Sequence, residues 1–222
     1  MTVKPSNFPP KGKGGVEILT PARFQAAANV SRETLARLEL YAALLRKWQG
    51  AINLVSRVSL DDLWRRHMLD SAQLYPLIPP GIRTLVDLGS GAGFPGLVLA
   101  VLGVPDVHLV ESDSRKCAFL REAARAMGLT VTVHTRRIEE MAPFGADVIT
   151  ARALAPLAAL LDLGERFLSP HTICLFLKGR GVDEELTRAA ERWNMTVMRE
   201  ISASDPSGTI LRLEHIRREP AS

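Results

Sequence analysis

Apolar residues in this chain recur at two different periods, and the change comes near residue 80. Before it the spacing is helical. Leu35, Leu38, Ala42, Leu45 and Trp48 form one stripe, with Ser31 ahead as an N-cap and Gly50 behind. Leu60, Trp64, His67, Ser71 and Leu74 form a second stripe, which Ser59 caps and which ends before Pro76 or Pro79-Pro80. A shorter helix is expected after Thr20-Pro21, through Ala28. From Ile82 onward, strands alternate with helices: strands at 83–88, 107–111, 130–134, 147–151 and 172–178, helices at 94–103, 114–127, 156–167 and 183–193. Ser114 reads as the cap of the second of these helices and Gly128 as its end. Two last strands, 196–201 and 210–216, leave no room for a helix between them, so Asp205-Pro206-Ser207-Gly208 joins them as a hairpin turn. The pattern predicts an α/β protein in which five βα units are followed by an antiparallel hairpin.

Composition narrows this reading. A chain of 222 residues with 46% hydrophobic content can bury a full core, and it fits one α/β domain with an appendage. The division is a tail at 1–19, a helical extension at 20–80 and the sheet domain at 81–222. The tail mixes Pro5, Pro9, Pro10 and several glycines with Lys4, Lys11 and Lys13, and reads as flexible and basic. The longest strongly apolar run, Leu97 to Val104, is far too short to span a membrane, and no signal peptide is visible, so a cytoplasmic protein is expected. Cys117 and Cys174 lack metal-ligand spacing and read as reduced packing residues. Charge is unevenly placed: residues 1–80 hold 11 basic and 6 acidic residues, the remainder 17 and 18. The excess suits a polyanionic partner such as nucleic acid, and equally a solubilising surface.

The chemistry gathers at Leu85–Gly96, LVDLGSGAGFPG, a strand running through a glycine turn into a helix. Glycine permits positive φ and close approach of a ligand to the backbone, and the helix start offers unpaired N–H groups. Gly91 to Gly96 matches G-x-G-x-x-G, a dinucleotide signature; Asp87 to Gly93 matches D-x-G-x-G-x-G, the first motif of S-adenosyl-L-methionine (AdoMet) methyltransferases. A carboxylate at Asp87 disfavours a pyrophosphate and suits a cofactor carrying ammonium and sulfonium groups. The terminal hairpin points the same way, because a two-half dinucleotide fold would end in a sixth parallel strand. The fold expected is therefore that of class I AdoMet-dependent methyltransferases, a seven-stranded doubly wound sheet ending in an antiparallel hairpin, with an N-terminal helical extension.

Ligands on such sheets bind beyond the carboxyl ends of the strands. There Glu111 could accept both ribose hydroxyls, and Ile138 could lie along an adenine face beside Glu139. Arg136, Arg137, Arg152, Lys178 and Arg180 gather on the same edge, a cationic rim suited to a phosphate-bearing substrate or to pairing with acids such as Asp147 and Glu139. His67, with Asp70 three residues on, either ties its helix to the sheet or stands over the cofactor or target base; the structural role is favoured.

As a set these residues resemble the bacterial small-subunit ribosomal RNA guanine-N7 methyltransferases, the RsmG or glucose-inhibited division protein B family. The resemblance rests on Asn53-Leu54-Val55-Ser56, Arg66-His67-Met68-Leu69-Asp70-Ser71, Val86 through Gly96, Phe119-Leu120-Arg121, Arg137-Ile138-Glu139, Ala151-Arg152-Ala153 with Pro156, and Lys178-Gly179. Joining Arg-His-x-x-Asp-Ser to Gly-x-Gly-Phe-Pro-Gly is specific to that family. The resemblance implies AdoMet binding by Gly89, Phe94, Ile138-Glu139 and Arg152, with Gly91 and Glu111 completing the pocket. It implies S-adenosyl-L-homocysteine as product, no metal, and a guanine of 16S ribosomal RNA or the small subunit as acceptor. A monomer without membrane contact is expected. The chain has no Asn-Pro-Pro-aromatic motif for amine methylation and no cysteine placed for a pyrimidine adduct. Guanine N7 has a free lone pair and no proton, so an N7 enzyme can lack a general base, and none is assigned here.

Overall fold

A computed structural model describes residues 18–220 of the protein, and the expected basic tail lies almost wholly outside them. Seven strands form one sheet: β1 (Thr84–Leu88), β2 (Asp106–Glu111), β3 (Val131–Thr135), β4 (Val148–Arg152), β5 (Ile173–Lys178), β6 (Trp193–Ile201) and β7 (Thr209–Arg218). Their order is β3-β2-β1-β4-β5-β7-β6. The β1–β2, β2–β3, β1–β4 and β4–β5 pairs are parallel, and β7 runs antiparallel to both β5 and β6. The chain winds from β1 out to β3, then crosses back to β4. This reversal opens a crevice beyond the ends of β1 and β4, where ligands of open α/β sheets bind.

Side chains alternate across the sheet and divide the core. Leu85 packs into one cluster, and Val86 and Leu88 into the other. The first cluster also takes in Phe24, Tyr41 and Met68 from the N-terminal helices, with Leu97 and Phe119 from helices that follow β1 and β2. The helical extension thus shares a core with the sheet. Its elements are α1 (Pro21–Ala28), α2 (Arg32–Gln49), α3 (Arg57–Asp61), a π-helical turn (Trp64–Leu69) and α4 (Asp70–Ala72). The later helices are α5 (Gly96–Val101), α6 (Ser114–Ala126), α7 (Leu157–Gly164) and α8 (Val182–Ala190).

Local chemistry moved several expected boundaries. Ser56, not Ser59, caps the third helix, its hydroxyl accepting the Ser59 N–H at 3.2 Å. Asp113, not Ser114, caps α6: its extended backbone lets the carboxylate reach the Arg115 N–H at 2.8 Å. Gly128 does end that segment, at φ +65. Helix α8 stops at Ala190, because the buried Trp193 already belongs to β6. The expected helix at 156–167 becomes α7 followed by a 3-10 turn, Glu165–Phe167. Among the described residues no helix is long and apolar enough to cross a membrane.

Candidate active site

The turn between β1 and α5 is held from below by Asp87. Its register partner on β4 is Thr150, whose hydroxyl donates to one carboxylate oxygen at 2.7 Å. The other oxygen accepts the Gly96 N–H at 3.3 Å, and Asp87 is fully buried. Burial pushes its pKa from 3.8 up to about 6, against the Thr150 and Gly96 hydrogen bonds. Electrostatics at the sequence level aimed this carboxylate at a cofactor. In the structure it is spent on the turn, and it acts on a ligand only through the shape of that turn.

Above the turn lies a cavity of 430 Å³. Gly89, Gly91, Phe94, Glu111, Ile138, Glu139 and Arg152 all line it. Those are the seven expected cofactor residues, drawn from the β1–α5 turn, β2, β4 and the 3-10 turn at Ile138–Glu140. Glu111 is fixed in place, one oxygen accepting the Gly91 N–H at 3.0 Å and the other the Asp113 N–H at 2.8 Å. Each carboxylate oxygen keeps a lone pair for a hydroxyl. Arg136 and Arg137 stand on the wall of this cavity with Lys116, one of the two basic residues that follow Glu111 in the sequence. Leu54, Ser112, Ala153 and Leu154 line it as well, without an expected site role, although Leu54 and Ala153 stand in segments that carry the family resemblance. Leu154 covers Gly89 so closely that a Cβ there would meet it at 2.6 Å, and Ala153 is a non-glycine residue at φ +52.

Phe94 joins the turn to the helical extension. Its ring lies 4.8 Å from the His67 ring and 5.1 Å from that of Tyr41, with the Arg152 guanidinium 5.2 Å from its centroid. The Tyr41 hydroxyl donates to the Ala92 carbonyl in the same turn. Arg152 donates to the Arg66 carbonyl at 3.1 Å and pairs with Asp70 at 3.5 Å. Asp70 in turn accepts from the Ser204 hydroxyl at 2.5 Å and the Gln73 amide at 3.0 Å. Burial raises the Asp70 pKa, and Arg152 opposes the rise. The helical extension thereby grips both the glycine turn and the hairpin loop.

A second cavity of 250 Å³ adjoins the first, and Arg152 and Ala153 line both. His67 and Lys178 line the second, while Arg180 is exposed and lines neither. The Lys178 ammonium is already paired with Glu185 at 2.6 Å and donates to the Ala155 carbonyl at 2.9 Å. Asp147 is taken by the Arg83 and Thr84 N–H groups, so it does not neutralise the site arginines.

His67 is 5% exposed, and neither of its ring nitrogens has a hydrogen-bond partner. Leaving such a group unpaired costs on the order of 1–3 kcal/mol, and such exceptions cluster at functional sites. Burial, reinforced by Arg152 and Arg66, pushes its pKa from 6.5 down to about 3, so the ring is neutral at physiological pH. Between those values the unfolded chain takes up a proton that the folded ring refuses. Stability is therefore full above pH 6.5 and falls as the pH drops toward 3. His67→Phe, which keeps the stack on Phe94, removes this term. Between pH 6.5 and 5, denaturant unfolding of the wild type should lose roughly 1–2 kcal/mol more than that of the variant. Equal losses would show that the ring titrates normally.

A doubly wound sheet of this order, closed by an antiparallel hairpin and carrying its cavity over a glycine turn at the switch point, defines a class I AdoMet-dependent methyltransferase. The fold matches that of an O-methyltransferase from Bacillus cereus solved with SAH: TM-score 0.54, 16% identity, covering 87% of this chain and 97% of that one. The family model described as rRNA small subunit methyltransferase G (GidB) matches residues 34–208. Ribosomal RNA small subunit methyltransferase G of Paramagnetospirillum magneticum is 61% identical over 198 residues, covering 89% of this chain and 97% of that protein. Its namesake from Rhodospirillum centenum is 63% identical over 193 residues, covering 87% and 89%. The chain belongs to the rRNA small subunit methyltransferase G family.

Proposed function

We propose that this enzyme binds AdoMet in the larger cavity and methylates N7 of a specific guanine in 16S ribosomal RNA, releasing S-adenosyl-L-homocysteine. One observation carries the cofactor assignment: seven residues spread from Gly89 to Arg152 line a single cavity at the switch point of the sheet. Family membership carries the acceptor. The cofactor supplies an electrophilic methyl group on a sulfonium. The Gly89–Gly93 backbone gives close approach, Glu111 accepts from the ribose, Ile138 covers the adenine and Arg152 borders the reacting end. N7 attacks with its own lone pair; the N–C bond forms as the S–C bond breaks, and the electron pair stays on sulfur. No proton moves, so the protein needs to align the atoms and exclude water rather than supply a base.

Arg136, Arg137 and Arg180, with the basic residues of the first 80, are the groups we assign to the RNA phosphates. His67 and Lys178 belong to the acceptor side through the second cavity. Residues 20–80 serve as an extension that holds Arg66 and His67 over the strand ends, and the protein acts in the cytoplasm as a monomer. Label from methyl-labelled AdoMet should enter the RNA of unmethylated small subunits, at a rate that falls steeply with salt. Transfer that is indifferent to RNA and to salt would point instead to a small-molecule acceptor.

A further inference from the structure

The second cavity has a polarity of its own. The wall it shares with the cofactor cavity is Arg152 with Ala153, and His67 lines the smaller cavity alone. The β6–β7 loop supplies another part of the lining, where Asp205, Ser207 and Gly208 line only this cavity. A guanidinium thus borders the cofactor cavity, and a carboxylate, paired with Arg66, lies on the part of the lining that does not.

The two carboxylates on its walls differ in how far they are committed. Asp70 is consumed by Ser204, Gln73 and Arg152. Asp205 accepts from Arg66 at 2.7 Å through one oxygen, and from the Ser207 N–H and hydroxyl, both at 2.9 Å, through the other. Its side chain is 34% exposed, and the oxygen facing Arg66 retains a lone pair. Guanine places two acceptors, N7 and O6, on one edge and two donors, N1–H and N2–H, on another. Adenine puts a donor next to N7 and an acceptor at N1, the wrong sign on both walls.

Resting on the function proposed above, we propose that the smaller cavity receives the target guanine lifted out of the RNA. Its N7/O6 edge faces Arg152 and His67, and its N1–H/N2–H edge is read by Asp205. Asp205 is a specificity residue: it touches the base at the edge remote from the reacting atom. Enzymes that modify bases commonly read the extruded base through that edge.

The test uses the full-length protein and small subunits reconstituted on 16S RNA with either guanosine or inosine at the mapped target. Inosine keeps N7, O6 and N1–H but lacks the 2-amino group. The wild type should prefer guanosine by about tenfold in kcat/KM, as expected for a site built around a missing donor. Asp205→Ala should methylate guanosine subunits more slowly and show a preference of about twofold or less, and Asp205→Asn should fall between. S-adenosyl-L-homocysteine affinity and Tm should stay near wild-type values in both variants. A wild-type enzyme blind to the 2-amino group, or an Asp205→Ala variant that keeps the full preference, overturns the assignment. Failure of the wild type to label guanosine subunits at all would instead overturn the parent function.

Discussion

Asp87→Ala is expected to unfold the cofactor turn and to lower stability by about 2–5 kcal/mol, the cost of stranding buried donors around a lost carboxylate. The Thr150 hydroxyl and the Gly96 N–H both lose their acceptor at a site that is fully buried in the native protein. In a chain of this length that loss lowers Tm by roughly 5–15 °C. Binding of S-adenosyl-L-homocysteine should disappear in calorimetry although Asp87 does not line the cavity. Gly96 is packed as tightly: an added Cβ would meet Leu109 at 2.4 Å and the Asp87 carboxylate at 2.9 Å, so the turn has no room for a side chain there. A variant with wild-type Tm and wild-type affinity would show that the turn holds without this support.

The opposite signature is expected from Gly91→Phe. Gly91 sits at φ +56, and the nearest atom to an added Cβ is the Gly89 carbonyl oxygen, at 3.8 Å. A side chain there therefore stands in the larger cavity, the proposed cofactor site, without striking the core. The left-handed backbone costs about 1–2 kcal/mol, which leaves the protein folded. Affinity for S-adenosyl-L-homocysteine should fall by about a hundredfold or more, since the side chain occupies the ligand's volume. Gly93 shows the contrast. A Cβ there meets Leu97 at 2.5 Å and the Tyr41 hydroxyl at 2.7 Å, so that glycine serves packing between the turn and α2. Retained affinity in a folded Gly91→Phe protein would mean that the cofactor lies elsewhere.

The sheet was legible because its signals are local. Short apolar runs, a glycine turn and the Asp205–Gly208 turn of the hairpin specify strands and connections without reference to distant residues. The lining of the larger cavity was legible in part for a related reason: parallel strands end on one edge, which brings the glycine turn, Glu111 and Arg152 together, while a cofactor role for Gly89 and Arg152 rested on the family resemblance. Roles decided by long-range pairing were not legible. Nothing near Asp87 in sequence reveals that Thr150, 63 residues on, takes one of its oxygens. Nor does Lys178-Gly179-Arg180 reveal that Glu185 on α8 engages the lysine. The extension read as an appendage because its stripes look like any amphipathic helix. Tyr41 at the Ala92 carbonyl and His67 on Phe94 make it part of the site. The second cavity depends on four segments meeting, among them the hairpin loop and the π-helical turn, and no single motif announces it.

The central claim is that the two adjoining cavities pass a methyl group from AdoMet to guanine N7 in small-subunit RNA. The direct measurement is to incubate the protein with methyl-labelled AdoMet and unmethylated small subunits, then map the labelled nucleotide and the labelled atom. The account predicts label in one guanosine of the 16S RNA, released as 7-methylguanine on depurination. Label on an exocyclic amine, on a ribose hydroxyl, on another base or on protein would contradict it.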